Sequence, residues 1–399
     1  MKEEIEYKEK IRILHITPQA PGMKSGGEIG VRQTLLSLCG NGYTVDYVGP
    51  KLNDENLKEL YNNVYELEPI SNNVIRMFDS LRGYTNSRYR AWKKLLAGMI
   101  YKQFDIEAYD AVVMDFTKLD YVAEDMQDKK LIVRVHNVEA DYFAREFEHT
   151  KNIKSFILKI TAKKREEKVI KKAEKLIVLT DKDKDRIIEL YKTKKEKFYR
   201  IPVCLQEKKS SKYINIKKEN DSLVGTNNVN LLITGSLWFG PNYDGIKWFI
   251  QNCYSKIIVK THLVIAGYKP NPELKELANI YDIDVIDSPI DMEPYFKAAD
   301  IAIAPVFDGA GMKVKVAEAL SYGLPVVGTT HAFTGYDIVE GKNSWCTDTE
   351  QGFIDAIVNY SNMSEENKKN MGKEAYRLYE DKYSQNVSTH MMKNIIENT

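Results

Sequence analysis

The chain of 399 residues is poor in cysteine, with four, and in histidine, with six. Cys39, Cys204, Cys253 and Cys346 form no Cys-x-x-Cys pair, and none stands at metal-ligand spacing from a histidine. That gives no support to a zinc site or a disulfide scaffold and leaves the thiols as small apolar packing groups. An excess of one charge is also missing. Lys plus Arg number 58 and Asp plus Glu 57, a net charge of +1, which argues against a dedicated nucleic-acid binder. No apolar run approaches the ~18 residues that a membrane span requires. Met1 to Lys10 is mostly charged and lacks an apolar h-region, so no signal peptide is expected and the expected location is the cytoplasm.

What is present is an ordinary globular composition, 43% hydrophobic and 29% charged. At roughly 150 residues per domain the length predicts two domains, or three. From Ile11 the chain reads as a buried strand, then a loop with Pro18, Pro21, Gly22, Gly26 and Gly27, then a helix from Val31 to Leu38. Val45–Val48, Ala111–Asp115, Leu131–Val135 and Lys175–Leu179 continue the strands of an α/β domain that ends near Ile201-Pro202. A polar stretch from Gln206 to Asn230 reads as linker and surface loop. A second series follows, with strands at Asn230–Ser236, Thr261–Gly267, Ile283–Ile286, Asp300–Pro305 and Pro325–Gly328. The reading is α/β, two Rossmann-like domains at 1–202 and 203–383, with a ligand expected at the strands' C-terminal ends in a cleft between them. Ser384 to Glu397 forms a closing helix.

The most informative stretch runs from Phe307 to Gly328. A strand ends at Pro305, the small residues Gly309, Ala310 and Gly311 follow, and a helix is predicted to begin near Met312. Such a helix start aims unpaired N–H groups and a positive dipole end at the strand edge. Lys313 and Lys315 stand where that dipole prefers acids, which makes sense if an anion occupies the site. Glu318, one turn on, is placed to accept hydrogen bonds from a ligand hydroxyl. The plainer alternative is a solvated helix start with a chance glutamate. His136, just past a strand end, should project into the cleft. Gly26 and Gly27 let a backbone approach a phosphate or sugar with positive φ accessible, although they do not make a Gly-x-Gly-x-x-Gly dinucleotide fingerprint.

The run Gly309-Ala-Gly-Met-Lys-Val-Lys-Val-Ala-Glu-Ala-Leu-Ser-Tyr-Gly-Leu-Pro-Val-Val327 resembles the donor-binding segment of retaining GT-B glycosyltransferases, specifically the family 4 group. Leu232 to Phe249, His136-Asn-Val-Glu139 and Gly26-Gly27 are similar to that family's first C-domain strand and helix, its acceptor-side histidine segment and its N-terminal glycine loop. The resemblance implies the GT-B fold, with an acceptor domain first, a donor domain second and the helix 384–399 packed back on the first. It implies transfer from a nucleotide-sugar, a UDP- or GDP-sugar first among them, with retention of anomeric configuration and no metal or other cofactor. Lys315 and Lys313 would hold the diphosphate and Glu318 the ribose hydroxyls. Gly235, Gly309, Ala310, Gly311 and Met312 would line the donor, and His136 would contact the transferred sugar.

One departure stands out. Many members carry a glutamate where this chain has Ala310, and the basic residues after the first C-domain strand are replaced by Gly235-Ser-Leu-Trp-Phe-Gly. A catalytically silent GT-B partner subunit is therefore the second reading, and a nucleotide-sugar 2-epimerase the third. The expected acceptor is a glycan or lipid-linked saccharide, in surface polysaccharide or glycoconjugate biosynthesis. A lipid-linked acceptor would draw the enzyme to the inner face of the membrane. The basic segments 88–102 and 151–175, the latter with ten Lys or Arg against three Glu, are the candidate contacts. Solvated helix faces are the alternative.

Overall fold

The computed structural model describes residues 10–23, 25–69, 71–81, 88–126, 130–207 and 229–398, with backbone alone at 76, 77, 80 and 81. The expected linker falls largely on 208–228, and the opening segment on 1–9, outside the described residues. The chain divides into two compact units, Met1–Pro202 with Ser388–Thr399, and Val203–Val387.

The first unit is a parallel sheet whose strands are β1 (Arg12–Ile16), β2 (Thr44–Gly49), β3 (Val64–Glu66), β4 (Ala111–Asp115), β5 (Lys130–Val135), β6 (Lys175–Val178) and β7 (Phe198–Arg200). Their spatial order is β3-β2-β1-β4-β5-β6-β7, so the chain reverses direction across the sheet beside β1. The helices are α1 (Gly26–Gly40), α2 (Glu55–Lys58), α3 (Asn73–Leu81), α4 (Tyr89–Leu96), α5 (Asp120–Asp125), α6 (Glu139–Thr150), α7 (Ile153–Lys172) and α8 (Asp181–Tyr191). Helices cover both faces of the sheet. That is why Ala111-Val-Val-Met114 is apolar without alternation and buried throughout.

The second unit repeats the plan with β8 (Val229–Ser236), α9 (Gly240–Asn252), β9 (Thr261–Tyr268), α10 (Pro272–Ile280), β10 (Asp284–Asp287), α11 (Glu293–Ala298) and β11 (Ile301–Ala304). After these come α12 (Val314–Ser321), β12 (Val326–Gly328), β13 (Ser344–Cys346), α13 (Glu350–Ser361) and α14 (Glu365–Lys382), and its parallel sheet is ordered β10-β9-β8-β11-β12-β13. The last helix, α15 (Gln385–Glu397), passes into the first unit from Ser388. There Met392, Ile395 and Ile396 join the core that holds Leu35 and Leu38, and the Ser388 hydroxyl meets Gln33 and Ser37 at 2.9 and 2.8 Å.

In the basic segment 88–102, Arg90, Lys94 and Lys102 are exposed, while the apolar side of α4 packs inward. Trp92 and Leu95 of α4 are fully buried, and the Trp92 indole and Lys93 ammonium both bind Asp125, at 2.8 and 2.6 Å.

Candidate functional site

In the second unit β8 and β11 lie side by side and parallel, so the loops leaving them open on one edge of the sheet. The helix beyond β11 starts at Val314 with Lys313 as its N-cap, slightly later than the sequence suggests. Two causes delay it. Gly309 and Gly311 have φ of +111° and +65°, which a right-handed helix does not contain. Met312 turns inward, 6% exposed, where its sulfur accepts the Val203 N–H at 3.4 Å. It therefore anchors the loop.

Three residues hold this loop in shape. The His331 Nε2 donates to the Gly309 carbonyl at 2.8 Å. The Tyr336 hydroxyl donates to the Lys313 carbonyl at 2.9 Å and accepts the Ala317 N–H at 3.3 Å. Thr329 bonds to the Val306 carbonyl. They come from the segment after β12, far along the chain, and no local signal near Lys313 points to them.

Lys315 and Lys313 diverge from the same helix start. The Lys315 ammonium donates to Asn242 Oδ1 at 3.0 Å, and the Asn242 amide nitrogen donates in turn to the Ser236 carbonyl at 3.0 Å. The same ammonium lies against Gly235, whose φ is +140° and whose Cβ, if present, would come within 3.1 Å of Nζ. Lys313 folds over the loop and donates to the carbonyls of Ala310 and Gly311 at 3.0 and 3.1 Å. Burial pushes the Lys315 ammonium down to about 8; the charge of Lys313 acts the same way and Glu318 opposes it. Glu318 is half-buried, one turn further along α12. Two cations at a helix start, one of them paired with a neutral amide, form a site electrostatically suited to an anion.

The first unit presents a different arrangement at its strand ends. Asp115, the last residue of β4, is fully buried. Its Oδ1 accepts from His136 Nε2 at 2.7 Å and the Thr34 hydroxyl at 3.1 Å, and its Oδ2 from His15 Nε2 at 2.6 Å. Burial favours the neutral acid, but the hydrogen bonds from His136 and His15 outweigh it and hold Asp115 well below the usual carboxylate range. An ionised carboxylate only accepts, so each imidazole carries its proton on Nε2. The Tyr61 hydroxyl lies 2.9 Å from His15 Nδ1. His136 itself is pushed down, first by burial, against the pull of Asp115, which keeps the ring neutral.

His136 does not project outward. It is 5% exposed and stacks on Phe116 with ring centroids 3.9 Å apart. Gly26 and Gly27 are likewise not a loop with positive φ. They are the first residues of α1, capped by the Ser25 hydroxyl. A Cβ at Gly27 would come within 3.2 Å of the Phe116 ring, and one at Gly30 within 2.4 Å of His136 Cε1. Residues three apart share a helix face, so this glycine spacing seats α1 on the Phe116–His136 stack. Phe116 has φ of +68°, a conformation rare for a bulky side chain and typical of functional sites.

Beside it, Glu139 at the start of α6 is 2% exposed, and Lys118 lies 3.5 Å from its carboxylate. Burial raises the Glu139 carboxyl to about 7. The Glu166 carboxylate accepts the N–H groups of Glu139 and Ala140 at 3.0 and 3.1 Å, which caps α6 from another helix. Among the described residues no group of three His, Cys, Asp or Glu is arranged to hold a metal ion.

Residues 228–362 match the family model described as glycosyl transferases group 1. That segment lies within the second unit. The whole chain is similar to the structure of sucrose-phosphate synthase from Thermosynechococcus elongatus, 14% identical with a TM-score of 0.71, over 98% of this chain and 99% of that one. It is also similar to HepE of Anabaena, solved in complex with UDP-glucose, at 11% identity and a TM-score of 0.68, over 98% and 100% of the two chains. These likenesses make the fold GT-B. An uncharacterized 44.6 kDa protein in the cps region of Klebsiella pneumoniae is 23% identical over 358 residues, 84% of this chain and 87% of the relative. Lys313, Lys315, Glu318 and the Gly235 turn all fall inside the matched segment, whereas His136 and the α1 glycines lie outside it. Among the described residues no helix is long and apolar enough to cross a membrane.

Proposed function

We propose that the chain is a retaining glycosyltransferase. It transfers a sugar from a nucleotide-sugar, a UDP- or GDP-sugar, to a glycan or lipid-linked saccharide, at the inner face of the membrane. The observation that carries this reading is the Lys315 ammonium, half-buried beside Gly235 at the start of α12 with a neutral amide as its partner. A donor diphosphate supplies the anion that this position lacks. As the glycosidic bond to the donor breaks, negative charge grows on the departing diphosphate. Lys315, Lys313 and the first N–H groups of α12 stabilise that charge, and protein cations replace a metal ion in the role. Glu318 accepts from the ribose hydroxyls. The relative in a cps region supports surface polysaccharide assembly as the setting.

A second reading, a silent partner subunit, is favoured by Ala310 alone. Thermal unfolding against UDP, GDP, ADP, CMP and dTDP, each with and without EDTA, separates the two. A nucleotide at a hundred times its dissociation constant adds about 2.7 kcal/mol to native stability. Stabilisation by one nucleotide, indifferent to EDTA, is expected. If none of the five stabilises the chain, the donor site is not functional and the silent-subunit reading replaces this one.

A further inference from the structure

Helix α7 has two apolar faces, and the fold uses one. Ser155, Leu158, Ala162, Glu166, Val169 and Ile170 are turned inward. Ile153, Phe156 and Ile160 are turned out, at 81%, 47% and 59% exposure. At 100° per residue these three fall within about 60° of one another around the helix, a single narrow stripe. The neighbouring helix α3, which packs against α7, adds Val74 and Phe78, at 59% and 55% exposure. Exposed apolar side chains scattered singly need no explanation, but a contiguous stripe does.

Lysines flank this stripe at both ends. Lys151 and Lys154 stand at its N-terminal end and Lys164 at its C-terminal end, and none of the three has an ion-pair partner among the described residues. The acidic residues alongside are already engaged: Glu148 with Lys159 at 3.2 Å, and Glu167 with Lys171 at 2.5 Å. From Ile153 to Lys164 the helix rise covers about 16 Å. A surface that would match this pattern is apolar beneath and anionic on top, which is the headgroup boundary of a bilayer containing acidic lipids.

We propose that the outer face of α7 docks the protein on an anionic lipid surface. Ile153, Phe156 and Ile160 enter the acyl boundary, and Lys151, Lys154 and Lys164 meet lipid phosphates. The proposal narrows the contact expected of segment 151–175 to one face of one helix. It does not depend on the donor chemistry proposed above.

The test is co-sedimentation of the full chain with vesicles of phosphatidylcholine alone or with about 30 mol% phosphatidylglycerol, at low and high salt. Binding is expected only with the acidic lipid and should weaken with salt. The triple variant Ile153→Ser, Phe156→Ser, Ile160→Ser and the double variant Lys154→Glu, Lys164→Glu should each bind roughly tenfold more weakly or worse. Far-UV circular dichroism and the nucleotide-induced thermal shift serve as folding controls, and both should be unchanged. Equal binding by the triple variant overturns the proposal, as does absence of binding to acidic vesicles. If instead the chain forms dimers that the triple variant abolishes, without vesicle binding, the stripe belongs to a second copy and the lipid assignment is wrong.

Discussion

The two units place charge at their strand ends in opposite ways. In the first, the Asp115 carboxylate is matched within the unit by donors from His15, His136 and Thr34. The network continues through Arg134, which donates to the Thr34 hydroxyl at 3.1 Å and the Gln33 side chain at 2.7 Å. In the second, Lys313 depresses Lys315 rather than complementing it, and Lys315 has an amide for a partner. A buried polar network that is satisfied internally sets a structure. A buried cation with neutral company favours a ligand of opposite sign. On the function proposed above, the second unit is the half that meets the diphosphate.

Breaking the first arrangement should cost stability. Asp115→Asn removes the charge that both imidazoles face and leaves an amide that cannot accept from both without a mismatch. The expected loss is about 3 kcal/mol or more, read by denaturant unfolding. A variant as stable as the parent would mean that the network is not what holds β1, β4 and α1 together. Breaking the second arrangement should cost activity instead. Lys315→Met should lower kcat for sugar transfer by roughly 10²-fold while raising the melting temperature, because an ammonium held below its ordinary value is removed. A variant that turns over normally would take the diphosphate assignment away from Lys315.

How much of this was legible in the sequence follows the same division. Ala111–Asp115 was readable to the residue, and α12 was readable apart from a start two residues later than the expected Met312. A strand covered on both faces is a continuous apolar run, and α12 is bounded by the small-residue loop on one side and Gly323 on the other. The edge strands β3, β7 and β13 span three residues each, too short to show a period. The break between α6 and α7 is made by Lys151 at φ of +47°, and nothing in a lysine announces a left-handed cap. At the site, the lysines and Glu318 were visible because they sit together on one local motif. Asp115 was not, since His15 Nε2 reaches it from a hundred residues away. His136 was singled out, but its burial was not foreseen, because Phe116 and Gly30 come from other elements.

The glycines of α1 offer a sharper test of the first unit. Gly30→Ala gains up to about 1 kcal/mol of helix propensity, yet the new methyl would lie 2.4 Å from His136 Cε1 and 2.6 Å from Nδ1. Overpacking of that kind costs about 1–3 kcal/mol, so net destabilisation is expected. Adding His136→Ala should restore part of it, a coupling that a double-mutant cycle measures. If Gly30→Ala stabilises the chain, the imidazole is not seated where the helix would strike it.

The smallest effect is the most specific to the second unit. Lys315 is held at about 8, against an ordinary value near 10.4. Between these values the native chain binds fewer protons than the unfolded one, so this group makes stability rise with pH across that window. Below it the strained ammonium is present in full, and the stability gained by Lys315→Met is largest there and vanishes as pH approaches 10.4. A bound diphosphate reverses the preference, because the anion stabilises the protonated amine. Nucleotide binding near pH 8 should therefore take up as much as roughly half a proton, and affinity should fall as pH rises further. Calorimetry in two buffers of different ionisation enthalpy measures the uptake directly. An equal heat in both buffers would mean that the ammonium does not meet the phosphates, whereas an uptake that disappears in Lys315→Met assigns the proton to that side chain.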